Sequence, residues 1–129
     1  MSKFIIAHDL GTSGNKASVY NLRGELVAAS TRAYDTHYFN GNWAEQNPAD
    51  WWKAVSKSTR DVLEKVSVKE VVAVAFSGHM DGCLAVDGAG QPLHPHILWA
   101  DQRAEEEASW IASQIDPARL FKDTGHMAA

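Results

Sequence analysis

The chain is predicted to be an α/β protein, on three observations. An antiparallel meander opens it, with strand-like runs around a glycine turn in Ile5 to Tyr20 and a further run at Leu26 to Thr31. An amphipathic helix follows from Asn47-Pro48, and an almost continuously apolar run, Val71 to Phe76, reads as a strand covered on both faces.

The opening stretch sets the chemistry. Gly11 and Gly14 bracket Thr12 and Ser13, and both glycines can take positive φ without steric cost. A turn of this kind lines up hydroxyls and backbone N–H groups as a concave anion site. Asp9 stands where the first strand ends, and Lys16 returns on the second with a compensating charge. A carboxylate beside a phosphate cradle calls for a cation, and Mg²⁺ takes one or two carboxylates while bridging to nucleotide phosphates. The stretch therefore reads as a site for the phosphates of Mg·ATP, with an ordinary hairpin as the alternative. Neither a P-loop nor a dinucleotide glycine fingerprint occurs.

Composition bounds the rest. With 129 residues, 45% apolar and 22% charged, the chain is expected to form one soluble domain spanning 1–129. Its net charge of −4 gives no general attraction to nucleic acid or an anionic membrane, so any anion must be bound locally. The single cysteine, Cys83, lies in an apolar run and reads as a buried, reduced thiol. Phe4 to Ala7 is too short for a signal-peptide core and no run approaches membrane-spanning length, which makes a cytoplasmic location the default.

Along the chain, Asn21 to Glu25 marks a turn, and Tyr34 to Gln46 reads as irregular. Asn47 is placed to cap the first helix and Pro48 fits its first turn. Trp52, Val55, Thr59, Val62, Leu63 and Val66 form its apolar stripe, with Trp52 a core anchor rather than a sugar-stacking platform. Val71 to Phe76 should be the central strand, ending in Ser77-Gly78-His79-Met80-Asp81-Gly82, at the kind of strand end where α/β sheets bind ligands. Cys83 to Val86 reads as another strand, closed by a turn at Asp87 to Gly90. His94 and His96 fall in a proline-broken loop as surface histidines, lacking a third metal ligand. Trp99 to Arg103 opens a second helix with an apolar stripe of Ala104, Ala108, Ile111 and Ile115, and the acidic run Glu105 to Glu107 suits its first turn. Asp116-Pro117 ends that helix, and Pro117 to Lys122 begins a short third one. The chain then stops at Thr124 to Ala129 with no capping element, as expected of a piece of something longer.

Three segments in fixed order now carry a resemblance: Asp9-Leu10-Gly11-Thr12-Ser13-Gly14-Asn15-Lys16, Ser77-Gly78-His79-Met80-Asp81-Gly82 and Ile97-Leu98-Trp99-Ala100-Asp101-Gln102-Arg103. Together with Asn42-Trp43-Ala44-Glu45-Gln46-Asn47-Pro48-Ala49-Asp50-Trp51-Trp52, they resemble the FGGY carbohydrate kinases, the family of xylulokinase, gluconokinase and glycerol kinase. The resemblance covers essentially the whole chain. It implies a ribonuclease H-like, actin-like fold, present here in part, and a two-domain parent that uses ATP and Mg²⁺ to phosphorylate a small sugar or polyol. Asp9 matches the Mg·ATP-associated aspartate, and Gly11, Thr12, Ser13 and Lys16 lie at positions around the transferring phosphate. Met80, Asp81, Trp99, Asp101 and Arg103 match the sugar-site region, although Asp101 is expected mainly to pair or cap. The implied general base is an aspartate beyond Ala129, so the chain alone is expected to be inactive, and its partners are the remainder of the kinase and, compatibly, a second copy in a homodimer. Met80-Asp81 stands where glycerol kinases have Arg-Glu and xylulokinases commonly have Met-His, which disfavours glycerol and leaves xylulose open. A non-catalytic sugar-binding or regulatory fragment on the same fold is the rival expectation.

Overall fold

The computed structural model describes residues 3–126. Strands β1 (Phe4–Leu10), β2 (Gly14–Asn21) and β3 (Leu26–Ala33) form the predicted antiparallel meander. Its second turn is closed by Asn21, whose Oδ1 accepts from the N–H groups of Arg23 and Glu25, with Gly24 at φ +80°. Gly11 and Gly14 do not take positive φ, contrary to expectation. Gly14 is needed for space instead, because a Cβ there would stand 2.7 Å from the Arg32 carbonyl oxygen of the paired strand.

Tyr34 to Gln46 is not irregular. It holds a second hairpin of β4 (His37–Phe39) and β5 (Trp43–Gln46), turned through Asn40 and Gly41 at φ +48° and +82°. Asn-Gly between aromatic residues is a hairpin signal in the sequence, because both residues tolerate the left-handed backbone. Strand β7 (His96–Ile97) joins the far side of β5, giving a small sheet ordered β4-β5-β7.

Helix α1 (Pro48–Leu63) starts as predicted, with the Asn47 side chain accepting from the Ala49 N–H at 3.0 Å. It lies across one face of the meander. Ile6, Ala17, Val19, Val62 and Val66 form the core between them, and burying each of the isoleucine and valine side chains is worth about 1.5–3 kcal/mol. Asp61 fixes the helix over β3 by accepting both Arg32 Nε and Nη2 at 2.8 Å and the Ser30 hydroxyl at 2.6 Å. The buried helix face runs through Val55, Ser58 and Val62. Trp51 continues that face one turn back. Trp52, 100° further round, is 70% exposed and is not the predicted core anchor.

Strand β6 (Val71–Gly78) pairs in parallel with β1, so the main sheet is ordered β3-β2-β1-β6. It is therefore an edge strand, not the expected central one. Val72, Val74 and Phe76 are 53%, 53% and 60% exposed, because α1 covers β2 and β3 and does not reach this far. Phe76, expected in the core, stacks on His8 at 4.7 Å. Cys83 to Val86 forms two isolated bridges, to Ile97 and Pro92, rather than a strand, and Cys83 is exposed. The Asp87 to Gly90 turn forms as predicted.

Helix α2 (Glu105–Gln114) begins beyond Arg103, and Trp99 to Arg103 is a loop rather than its first turn. Its stripe is open, with Ile111 and Ile115 at 37% and 40% exposure. Helix α3 (Pro117–Thr124) is capped by Asp116, which accepts from the Arg119 N–H at 2.9 Å, and ends at Gly125, φ +78°. Met127 to Ala129, part of the expected abrupt end, lie outside the described residues. No helix among the described residues is long and apolar enough to cross a membrane.

Candidate functional site

The parallel pair β1 and β6 ends side by side, with Leu10 opposite Gly78 and the His79 N–H donating to the Leu10 carbonyl at 2.9 Å. From these two carboxyl ends spring the turn Gly11 to Ser13 and the segment His79 to Gly82. Asp9 stands between Lys16 of β2 and Ser77 of β6. His8 points towards α1, so the alternation of a strand puts Asp9, Lys16 and Ser77 on the opposite face. Both Asp9 and Lys16 are exposed.

The strand ends are braced from beneath by a buried polar seam. Asn15 Nδ2 lies 3.0 Å from His8 Nδ1 and donates to Ser58 Oγ at 2.8 Å, and Thr59 Oγ1 lies 3.3 Å from His8 Nε2. The Thr59 hydroxyl already donates to the Val55 carbonyl, so its oxygen accepts, which assigns the proton of neutral His8 to Nε2. Burial holds the His8 pKa below its ordinary value, against the smaller opposing effect of Asn15. His8 and Asn15 each precede a charged residue of the opposite face, so the seam fixes the backbone that carries Asp9 and Lys16.

The turn itself is held from three sides. Gly11 N–H donates to the Gly14 carbonyl at 3.0 Å, Tyr34 N–H donates to the Ser13 carbonyl at 3.3 Å, and the Tyr34 hydroxyl donates to the Gly11 carbonyl. Burial, and then the charge of Asp9, push the Tyr34 hydroxyl up to about 12. Gln46 Nε2 donates to the Thr12 carbonyl at 2.7 Å, and Trp99 Nε1 donates to the Thr12 hydroxyl at 3.1 Å.

Of the predicted sugar-site residues, Trp99 is brought to the turn. It is 56% exposed, and its loop is anchored by Leu98, which is buried and donates to the Ala44 carbonyl at 3.0 Å. Met80 is 74% exposed. Asp81 is exposed and takes the left-handed backbone at φ +60°, which Asp tolerates better than most residues.

Arg103 is engaged elsewhere. Its Nε and Nη2 donate to Asp101 at 2.8 and 2.7 Å, Nη2 pairs with Glu45 at 2.8 Å, and the guanidinium lies 3.9 Å over the Trp43 ring. Asp101 also accepts from the Ala44 N–H at 2.6 Å, and Arg103 first of all holds its carboxyl at about 2. Asp101 raises the Arg103 guanidinium in return. This pairing is the role expected of Asp101, and it fastens the Trp99 loop to the small sheet.

Three supporting residues carried no sequence prediction: Tyr34, Gln46 and His79. His96, expected at the surface, is 6% exposed and packs beside His79 and Trp51. Gln46 and His79 both stood in segments already singled out, but nothing in their spacing announced what they contact.

Residues 4–129 match the model of the FGGY family of carbohydrate kinases, N-terminal domain. The chain is 33% identical to the xylulose kinase of Escherichia coli K12 over 95% of its own length and 25% of that protein. It is 30% identical to the gluconokinase of Bacillus subtilis over 97% of its length and 24% of that protein. The structure superposes on the gluconate kinase of Lactobacillus acidophilus with a TM-score of 0.87 at 23% identity, covering 95% of this chain and 25% of that one, a likeness of fold. The chain thus spans about a quarter of the length of the relatives it matches.

Proposed function

Because this chain belongs to the FGGY family of carbohydrate kinases, we propose that it forms the N-terminal part of an ATP-dependent kinase that passes the γ-phosphoryl group to a hydroxyl of a small sugar or polyol. The observation that carries the reading is the Trp99–Thr12 hydrogen bond at 3.1 Å, which fixes the edge of the indole at the candidate phosphate turn and keeps this large, half-exposed ring beside it. A donor and an acceptor of a phosphoryl group must meet at one place, and this catalysis is mainly positioning and charge neutralisation.

In this reading Gly11, Thr12 and Ser13 cradle phosphate oxygens, and Lys16 offsets their charge. Asp9 would hold Mg²⁺, whose charge offsets that of the nucleotide phosphates. Its donor chemistry fits: it is an exposed carboxylate beside the turn, and a Mg²⁺ shared with phosphates and water takes one or two protein carboxylates. Met80 and Asp81 would meet the sugar from the β6 end, with Asp81 accepting from neighbouring hydroxyls. Trp99 covers its carbons, while Arg103 contributes chiefly by holding the Trp99 loop.

The remaining parts belong to a longer polypeptide. A general base and an adenine site would be supplied by a second domain, and the face and edge that β6 leaves open among the described residues are compatible with further chain packing there. A cytoplasmic setting goes with this reading. The test is transfer of labelled γ-phosphate from Mg·ATP to D-xylulose, D-gluconate and glycerol, by the full-length polypeptide and by residues 1–129 alone. A labelled sugar phosphate is expected only from the full-length protein. Sugar binding without transfer would favour a non-catalytic role, and transfer by residues 1–129 would remove the need for a distant base.

A further inference from the structure

Gln46 is 1% exposed, and both ends of its carboxamide are in use. Nε2 donates to the Thr12 carbonyl and to Thr36 Oγ1, each at 2.7 Å, and Oε1 accepts from Trp51 Nε1 at 3.0 Å. These three partners leave the amide one orientation, since exchanging N and O would set donor against donor at Trp51 and acceptor against acceptor at Thr12. Trp51 in turn packs edge-on against His79, with ring centroids 5.4 Å apart, and against His96 at 4.8 Å. His79 directly precedes Met80 and Asp81, and its N–H is bonded to the end of β1. Gly82 closes the same segment against His96, where a Cβ would come within 2.1 Å of the imidazole. A continuous chain of contacts therefore runs from the Thr12 carbonyl through Gln46 and Trp51 to both ends of the segment that holds Met80 and Asp81.

We propose that Gln46 is a positioning residue, whose carboxamide holds the phosphate turn and, through Trp51, the sugar-facing segment in one fixed relation. This inference rests on the functional reading above. It differs from a packing role in two consequences. Loss of the carboxamide should impair the use of both substrates together, because it frees both elements. The hydrogen bonds rather than the volume should matter, so Gln46→Glu, which matches glutamine in shape but sets a carboxylate against the Thr12 carbonyl, should be worse than Gln46→Met.

The experiment uses the full-length polypeptide with Mg·ATP and whichever of D-xylulose, D-gluconate and glycerol the wild type phosphorylates. Gln46→Met, Gln46→Glu, Trp51→Phe and the Gln46→Met/Trp51→Phe double variant are compared below their unfolding midpoints. Gln46→Met should lower kcat/KM for ATP and for the sugar alike by about tenfold, a factor that corresponds to 1.4 kcal/mol. Gln46→Glu should lose more. Trp51→Phe, which keeps an aromatic ring but deletes the pyrrole ring with its N–H, should lose several-fold alone and little more when added to Gln46→Met, because the two act through one bond. If the Gln46 variants fail to fold, Trp51→Phe decides by itself. Kinetics equal to wild type in Gln46→Met, or in Trp51→Phe, overturn the inference, as does an effect confined to one substrate or a milder Gln46→Glu. A wild type that phosphorylates none of the three compounds overturns the functional reading and this inference together, whereas an active wild type with unaffected variants overturns the inference alone.

Discussion

Trp99 and Thr12 lie 87 positions apart in the chain and meet through one hydrogen bond, from the indole N–H to the threonine hydroxyl at 3.1 Å. The loop that ends the small sheet is thereby fixed to the turn that ends the first strand of the large one. Trp99→Phe in the full-length polypeptide keeps the apolar face and deletes the bond. A typical hydrogen bond contributes about 0.5–1.5 kcal/mol, so the sugar kcat/KM should fall by a few-fold to about tenfold. Thr12→Val should cost a similar factor, and the two changes together little more than either. Fully additive losses would show that the residues act separately.

The two glycines of the turn should separate stability from binding. Gly14→Ala drives a Cβ to 2.7 Å from the Arg32 carbonyl and 3.0 Å from Ala33 Cα, both backbone atoms of the neighbouring strand. Overpacking of this kind typically costs about 1–3 kcal/mol, and denaturant unfolding should register it. At Gly11 the nearest atom would lie 3.6 Å away, an ordinary contact. Gly11→Ala should leave unfolding within about 0.5 kcal/mol of wild type while raising the KM for Mg·ATP, because the added methyl enters the proposed phosphate cradle. Equal destabilisation by both changes would contradict this division.

Asp81 offers a cleaner probe of the sugar side than an alanine replacement allows. Its backbone sits at φ +60°, and asparagine accepts that conformation while losing the charge. Asp81→Asn should raise the sugar KM about tenfold, since an imperfectly paired polar group costs about 1–3 kcal/mol. The KM for ATP and the thermal midpoint should barely move. Unchanged sugar kinetics would take the end of β6 out of the substrate site.

Much of this arrangement was legible in the sequence, and the failures share causes. The meander, the Asn47-Pro48 helix start and the Asp116-Pro117 boundary follow from local turn and capping chemistry, which needs no knowledge of distant contacts. The β4–β5 hairpin was missed although Asn40-Gly41 announces it. Val71 to Phe76 reads as a central strand because apolar content records what a strand can bury, not what lies beside it, and among the described residues nothing covers its outer face. A helical stripe can be drawn through Trp52 as well as through Trp51, and only the placement of Val55, Ser58 and Val62 on the meander selects Trp51. Asp9, Thr12 and Trp99 were recognisable as residue types. The roles of Tyr34, Gln46 and His79 were not, because each acts on backbone or rings far away in the chain.

Stability should depend on pH in two steps. Burial lowers the pKa of His8, His79 and His96 from the ordinary 6.5, with the charge of His79 adding to the effect at His96. Each is favoured in its neutral form by the fold, so the unfolded chain takes up its proton first as pH falls. Their contribution is therefore complete above about pH 6.5 and is lost below it. Asp101, held at about 2 by Arg103 against an ordinary 3.8, contributes above pH 3.8 and is lost as pH falls towards 2. Urea midpoints measured from pH 8 to pH 3 should be flat at the alkaline end, decline below pH 6.5 and decline again below pH 4. A midpoint that rises between pH 7 and pH 5 would contradict the buried neutral histidines.

The claim that Asp9 and the Gly11 to Gly14 turn serve the nucleotide phosphates is tested most directly by kcat at saturating Mg·ATP in full-length Asp9→Ala. The exposed carboxylate contributes little to packing, so the thermal midpoint should stay within a degree or two of wild type, in proportion to a change of about 0.5 kcal/mol or less. Asp9 would act by holding the Mg²⁺ whose charge neutralises the phosphates; losing one such electrostatic contribution to the transition state typically costs about 10²–10³ in kcat, and a loss of that order is the predicted result. A kcat close to that of the wild type would leave the turn an ordinary hairpin and contradict the account.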